Sequence, residues 1–204
     1  MPPILNVGKR FNMELLDIIK NRRSIRKYTD EQIPREALEK IIEAGLCAPT
    51  AGGRQGTMIV ALYDKELAEL VGKFNLSHFD RSHLQGNYVS REQPSIIDDP
   101  TMKSGFYGAP CVCAVFAEKN FLYSIPDAFC AAENMILQAT ELGLGSCVVA
   151  RCEENFDIDY GKSLLEKWNV PSDMVCRCFV LLGYVNGEMP HAKPRRQGRY
   201  KIIG

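Results

Sequence analysis

Early in the chain the apolar positions recur at helical spacing. In FNMELLDIIKNRRS, residues 11–24, Leu15, Ile18 and Ile19 form one stripe, which predicts a helix with an inward face. Asn12 suits its N-cap, and Phe11 and Leu16 stand at the two positions of a hydrophobic staple. PREALEKIIEAGLCAP predicts a second helix. Pro34 falls in its first turn, Leu38, Ile41 and Ile42 share a face, and Gly45 is its C-terminal stop. TMIVALY (57–63) reads as a buried strand, and CVCAVFA (111–117), SCVVA (146–150) and VCRCFVLLGY (175–184) as three more. SIPDAFCAAENMILQATELGLG (124–145) predicts a long helix opened by a capping box from Ser124 to Asp127. Its Ala132, Met135, Ile136, Ala139 and Leu142 should be buried. GKSLLEKWNV predicts a short helix closed by Pro171. Strands alternating with helices predict a mixed α/β or α+β sheet packed by helices.

Residues 75–110 interrupt this pattern with polar, aromatic and turn-forming residues. Two readings stay open: a lid or substrate-contacting segment, or a plain surface insertion. The tail, MPHAKPRRQGRYKIIG, is basic, punctuated by proline and expected to be extended. With no repeat or linker, the 204 residues read as one domain.

Composition excludes several classes. Lys plus Arg and Asp plus Glu both total 25, and a neutral chain argues against broad nucleic-acid binding. The start lacks a signal-peptide pattern, and no apolar run nears the ~18 residues of a membrane helix, so a cytoplasmic protein is expected. None of the eight cysteines forms C-x-x-C. CVC and CRC lie in strand-like runs, where alternate residues share a face, so each pair is expected to point together into a core. A structural zinc or a reactive thiol is the less favoured reading. P-loop, Rossmann, H-E-x-x-H and nucleophile-elbow motifs are missing from the sequence. That points to chemistry borrowed from an organic cofactor.

Against the neutral total, Arg22, Arg23, Arg26 and Lys27 crowd into residues 22–27. A solvated face would mix the signs. A compact cationic cluster suits one compact anion, such as a cofactor phosphate.

Four stretches carry a resemblance. NRRSIRKYTDEQIPREALEKIIEAGLCAPTAGGRQ resembles the N-terminal region of the FMN-dependent nitroreductase family, with its R-R-S-x-R motif and its A-P-S-x-x-N-x-Q stretch. FYGAPCVCAVFA resembles that family's aromatic-x-A-P strand, DAFCAAENMILQATELGLGSCVV its central helix and glycine turn, and LLGYVNGEMPHAKPRR its closing segment. The matches stand in family order across residues 14–196.

The resemblance implies a three-layer α+β fold: a mixed, mostly antiparallel sheet flanked by helices, with an extended C-terminal tail. It implies one FMN-binding domain over 1–204, with a lid or insertion at 75–107. It implies a homodimer with FMN at the interface and no catalytic side chain. Hydride would pass from NADH or NADPH through FMN to a nitroaromatic, quinone or related acceptor. Other activities on the same fold stay open: ene-reductase, dehalogenase, flavin fragmentation, or flavin binding without turnover. Arg22 and Ser24 match the residues that hold the phosphate and ribityl chain, with Arg23 beside them. Arg26 completes the motif or pairs with a carboxylate. Lys193 and Arg195 match cations that also reach the phosphate. Pro49, Thr50, Ala51, Gly53 and Gln55 match a stretch supplied against the partner's flavin. Leu144, Gly145 and Ser146 match the backbone that runs by the ring. Ala132, Asn134 and Met135 are expected to pack the central helix instead. The chain departs from the pattern at Gly53 and Gly56, where Asn and Pro are usual.

Overall fold

The structure, a computed structural model, describes residues 14–80, 88–150 and 152–204. The four apolar runs become β1 (Thr57–Leu62), β2 (Cys111–Glu118), β3 (Gly145–Val149) and β4 (Met174–Gly183). They pair in the order β1-β2-β4-β3. All three pairings are antiparallel, and the parallel component expected of a mixed sheet reduces to an isolated bridge between Ser24 and Ser146. β2 and β4 are central because their runs are apolar on both faces. β1 lies at an end of the order and only Leu62 of it is buried, so the expected buried strand is a half-covered edge.

Among the described residues five helices flank the sheet: α1 (Leu15–Asn21), α2 (Arg35–Leu46), α3 (Lys65–Ser77), α4 (Ser124–Glu141) and α5 (Asp159–Lys167). α2 and α4 cover the face of Cys111, Cys113, Val115, Val180 and Leu182. α3, α5 and the turn Glu153–Phe156 cover the face of Val112, Ala114, Phe116, Phe179 and Leu181. The result is three layers with a core on each side of the sheet. The pattern reading passed over α3, although Asp64 caps it by accepting from the Leu67 amide at 2.8 Å. Its end at Ser77 takes in the first residues of the expected excursion.

Other details correct the sequence reading. Cys111 and Cys113 share a face, but Cys176 and Cys178 do not. Val115 pairs with Cys178 and Phe116 with Cys176, so Arg177 is the extra residue of a β-bulge, which breaks the alternation. The Arg177 guanidinium donates to Ser124 Oγ at 2.9 Å and to the Lys119 carbonyl at 2.9 Å. Ser124 and Asp127 form no capping box, because their oxygens serve Arg177 and the Ala51 amide. Pro34 precedes α2 as its N-cap instead of entering it. On α1 only Ile18 is buried, while Leu15, Leu16 and Ile19 face outward. The expected cap and staple at Asn12 and Phe11 lie outside the described residues.

Among the described residues the cysteines form no disulfide, and only Cys47 and Cys130 are exposed. The Cys178 thiol is pushed up to about 12, first by burial and then by Cys152. Such a thiol is a packing group, not a nucleophile. Among the described residues no cluster of three or more His, Cys, Asp or Glu could hold a metal, and no helix is long and apolar enough to cross a membrane.

Gly45 is not a stop. It lies inside α2, where a Cβ would come within 2.7 Å of Met135 Cγ and 2.9 Å of Ile59 Cδ1. The missing side chain lets α2 approach α4. Gly45→Val should therefore cost about 1–3 kcal/mol through overpacking, read as a lower urea midpoint. An unchanged midpoint would mean that the two helices separate here at no cost.

Candidate functional site

The arginine-rich segment begins where α1 ends. Arg22 leaves the helix in an extended conformation. Ser24 then bridges Ser146 at the start of β3, and the Ile25 amide donates to the Ser146 carbonyl at 2.9 Å. Ile25 and Tyr28 are buried in the core and fix the segment's direction. Gly145 permits the close approach, since a Cβ there would stand 3.0 Å from both Ile25 and Val185 side chains. The turn that delivers Gly145 is a Schellman cap on α4. Gly143, at φ 74, donates to the Thr140 carbonyl and Leu144 to the Ala139 carbonyl. Leu144 itself is core.

Arg22 and Ser24 line a cavity of about 260 Å³ with Phe129, Ala132, Glu133, Ile136, Cys147 and Val148. Ser146, next to it in sequence, is buried and its Oγ has no hydrogen-bond partner. Ala132, expected only to pack, both packs and lines the cavity. Met135 is core, and Asn134 ties α4 to the Ala44 carbonyl at 3.0 Å. The lining residues Phe129, Glu133, Ile136, Cys147 and Val148 were not among the sequence candidates. Helical spacing places Phe129, Glu133 and Ile136 along one edge of α4, but only the position of α1 shows that this edge meets Arg22.

The tail returns to the same place. Arg23 donates through Nε to the Pro190 carbonyl at 3.1 Å and through Nη1 to the Lys20 and Arg22 carbonyls at 2.6 and 2.8 Å. Burial, then Arg195, then Arg22 hold its pKa below the usual value. Arg22, Arg23 and Arg195 thus form a like-charged cluster drawn from both ends of the chain. Among the described residues none of them has a carboxylate within 4.0 Å. Lys193 is turned to the Val89 carbonyl at 2.5 Å.

Arg26 has a different partner from the carboxylate that was one sequence reading. Its amide donates to Gln93 Oε1 at 2.6 Å, its Nη1 donates to the Gln93 carbonyl at 3.3 Å, and its guanidinium lies 5.9 Å from the Tyr107 ring centroid. No local pattern could disclose a contact between residues 67 positions apart.

The 49–55 stretch is held elsewhere. Pro49 leads into a turn in which Ala51 donates to the Asp127 carboxylate at 3.1 Å and Gln55 donates to Thr50 Oγ1 at 2.9 Å. Gly52 and Gly53 both sit at φ 65, a conformation that side chains other than Asn and Asp rarely adopt. Arg54 pairs with both oxygens of Glu118 and lies 4.4 Å from the Phe121 ring centroid. This stretch therefore attaches at the first turn of α4, whereas the Arg22 cavity spans Phe129 to Ile136. A larger cavity of about 310 Å³ lies at the end of α3, lined by Asn75, His78, Asp80, Glu153, Glu154 and others. Its described lining has carboxylates and no arginine or lysine, which suits no anion, so the smaller cavity, lined by Arg22 as well as Glu133, is the better site.

The sequence profile of the Nitroreductase family matches residues 19–184. The chain belongs to the nitroreductase family. A relative from Archaeoglobus fulgidus, provisionally named NADH dehydrogenase/NAD(P)H nitroreductase, is 31% identical over 180 residues, 86% of this chain and 87% of that protein. One of the same name from Methanothermobacter thermautotrophicus is 30% identical over 139 residues, 68% of this chain. That match spans 62% of the relative, less than two thirds of its length. The crystal structure of a nitroreductase with bound FMN from Bacteroides fragilis superposes with a TM-score of 0.76 at 31% identity, covering 94% of this chain and 100% of that one. The nitroreductase fold is therefore the one that the resemblance implied.

In this nitroreductase-family chain the loop that meets Arg26 is organised by one carboxylate. Asp98 accepts from the amides of Val89 (2.7 Å), Ser90 (3.2 Å) and Ser95 (2.8 Å) and from Ser95 Oγ. Burial alone would raise its pKa, but the bonds from Ser95, Val89 and Ser90 outweigh burial and hold it below the ordinary value. A lowered native pKa contributes stability above the unfolded value, and that contribution is lost as pH falls through the native one. Amide exchange in 88–98, corrected for intrinsic rates, should therefore rise below about pH 4. Asp98→Asn should show the same loosening at neutral pH. Equal protection of the wild-type loop at pH 3 and pH 7 would contradict this.

Proposed function

We propose that this protein is an FMN-dependent oxidoreductase that works as a homodimer. The observation that carries the reading is the cluster of Arg22, Arg23 and Arg195, with no described carboxylate within 4.0 Å, beside a cavity, supported by the FMN-bound relative of the same fold. The residues present fit the cofactor. Arg22 and Arg195 offer planar pairs of donors for a phosphate, and Arg23 shapes the cluster through its carbonyl contacts. Ser24 lines the cavity, and the orphaned hydroxyl of Ser146 is a polar group awaiting a partner. The backbone of Leu144, Gly145 and Ser146 offers a flat approach for a ring. In this reading Lys193 leaves Val89 or adds its charge from there.

The chemistry supplied by bound FMN is ping-pong hydride transfer from NADH or NADPH to an acceptor of the nitroaromatic or quinone type. The chain binds, orients and supplies positive charge where reduction places negative charge. No side chain is assigned as acid or base. The whole chain, residues 1–204, serves as one FMN-binding domain, with a lid or insertion at 75–107.

Homodimer formation is supported by what one chain leaves uncovered. Leu15 and Leu16 of α1 are 65% and 56% exposed, Leu122 is 81% exposed, and Ile125 and Phe129 also face outward. Exposed apolar groups of this size mark an association surface. The 49–55 stretch, held away from the chain's own Arg22, then reaches the partner's cofactor.

Charge-assisted phosphate contacts contribute roughly 1.5–3 kcal/mol each. Arg22→Ala should weaken FMN binding about tenfold or more while leaving riboflavin, which lacks the phosphate, unaffected. Fluorescence titration with both flavins checks this, and equal FMN affinity in variant and wild type would refute the assignment. The visible spectrum before and after anaerobic NAD(P)H tests the reading as a whole: bleaching of bound flavin is expected. Sedimentation should give about twice 22.9 kDa, and a flavin-loaded, active monomer would refute the dimer.

A further inference from the structure

Cys152 and Cys176 lie on the same face of the sheet, in the core that α3 and α5 cover. β3 and β4 run antiparallel with Val149 opposite Phe179, and the two cysteines stand at positions that continue this register outward. There they meet. The Cys152 thiol donates to the Cys176 carbonyl at 3.0 Å. Burial, and then a hydrogen bond with the Cys152 thiol, hold the Cys176 thiol well above its ordinary pKa. The neighbouring chain is fixed as well. Glu153 pairs with Arg177 at 2.5 Å. Asn155, 2% exposed, donates to the Val71 carbonyl at 3.2 Å and accepts from Asn75 at 3.0 Å.

The two thiols differ in access. Cys152 lines the cavity of about 310 Å³ at the end of α3, together with Asn75, His78, Glu153 and Glu154. Cys176 is 1% exposed and is not part of that cavity's described lining. A small solute in the cavity therefore reaches Cys152 and finds Cys176 next to it. Opposed residues of an antiparallel pair stand about 4.5–5.5 Å apart at Cα, inside the range of about 4.4–6.8 Å that a disulfide spans. Other buried cysteines are placed differently. Cys111 and Cys113 follow one another along a single strand, and Cys178 packs on the opposite face of the sheet.

We propose that Cys152 and Cys176 are a modification site, where hydrogen peroxide entering the cavity at the end of α3 converts the two thiols into a reversible disulfide. The Cys152 sulfur attacks one peroxide oxygen, the O–O bond breaks, and a sulfenic acid forms as the first water leaves. The Cys176 sulfur then attacks the Cys152 sulfur. The sulfenic hydroxyl departs with the Cys176 proton as the second water, and the S–S bond closes. The thiols lose two electrons and the peroxide gains them. The bridge fastens the Glu153–Phe156 turn to β4 beside the ion pair of Glu153 and Arg177. It needs no cofactor, so its failure would leave the FMN reading untouched.

The test treats the full, reduced chain with hydrogen peroxide under native conditions. Cys47→Ser and Cys130→Ser, both at exposed positions, form the background and remove surface oxidation. Titration after denaturation should show the loss of two thiols per chain, and the intact mass should fall by about 2 Da as the bridge closes. Digestion should yield one peptide pair joining Cys152 to Cys176, and dithiothreitol should restore both thiols. Cys176→Ser should stop at the Cys152 sulfenic acid, trapped as its dimedone adduct. Cys152→Ser should leave Cys176 reduced. If a serine variant does not fold, the peptide map of the background protein decides by itself. No thiol loss overturns the inference. So does a bridge between any other cysteines, or thiol loss that occurs only in urea, since the folded cavity would then play no part.

Discussion

The pairing of Ser24 and Ile25 with the backbone of Ser146 is the constraint on which the site depends. Ile25 is 1% exposed and lies in the core shared by the sheet and α3. Moving it would open a cavity of the kind that costs a few kcal/mol. Because the segment cannot shift, Arg22 and Ser24 are presented together to one cavity at the edge of β3. Gly145 makes the contact possible by leaving room for Ile25, and the Schellman cap at Gly143 makes that turn geometrically definite.

Gathering like charges is unfavourable, and the structure shows how the cost is contained. Arg23 is satisfied by three backbone carbonyls, of Lys20, Arg22 and Pro190, which bind the guanidinium without cancelling its charge. One of these bonds also anchors the tail, so the cluster and the tail hold each other. Apart from Glu133, which lines the Arg22 cavity, several carboxylates serve geometry elsewhere. Asp98 organises a loop, Asp127 fixes the 51 turn, and Glu118 restrains Arg54. The division leaves a region of unbalanced positive charge on a chain whose total is neutral.

Elements governed by local periodicity were legible in the sequence. The four strands and the helices at α2, α4 and α5 fall within a few residues of their expected bounds. The cluster at Arg22 was legible too, because charge crowding needs no fold to be visible. What failed shares one cause. Cys176 and Cys178 part company because β2 skips Arg177, a register decision made between two strands. Ser124 and Asp127 abandon a local cap because more distant donors, Arg177 and Ala51, reach them first. Gly45 looked like a helix stop, yet its role is set by Met135 on another helix.

By itself the sequence determined the class of fold, the order of most of its elements and the place of a compact cationic cluster. Those follow from hydrophobic period, from turn chemistry and from the density of arginine over a few positions, all of them properties of near neighbours. Only the tertiary structure decided which edge of α4 faces Arg22, that Arg195 joins the early cluster while Lys193 turns to Val89, and that Arg26 is held by Gln93 instead of a carboxylate. The reason is physical. Each of these contacts joins residues far apart in the chain, and their meeting depends on how the helices pack on the sheet, which no local pattern encodes.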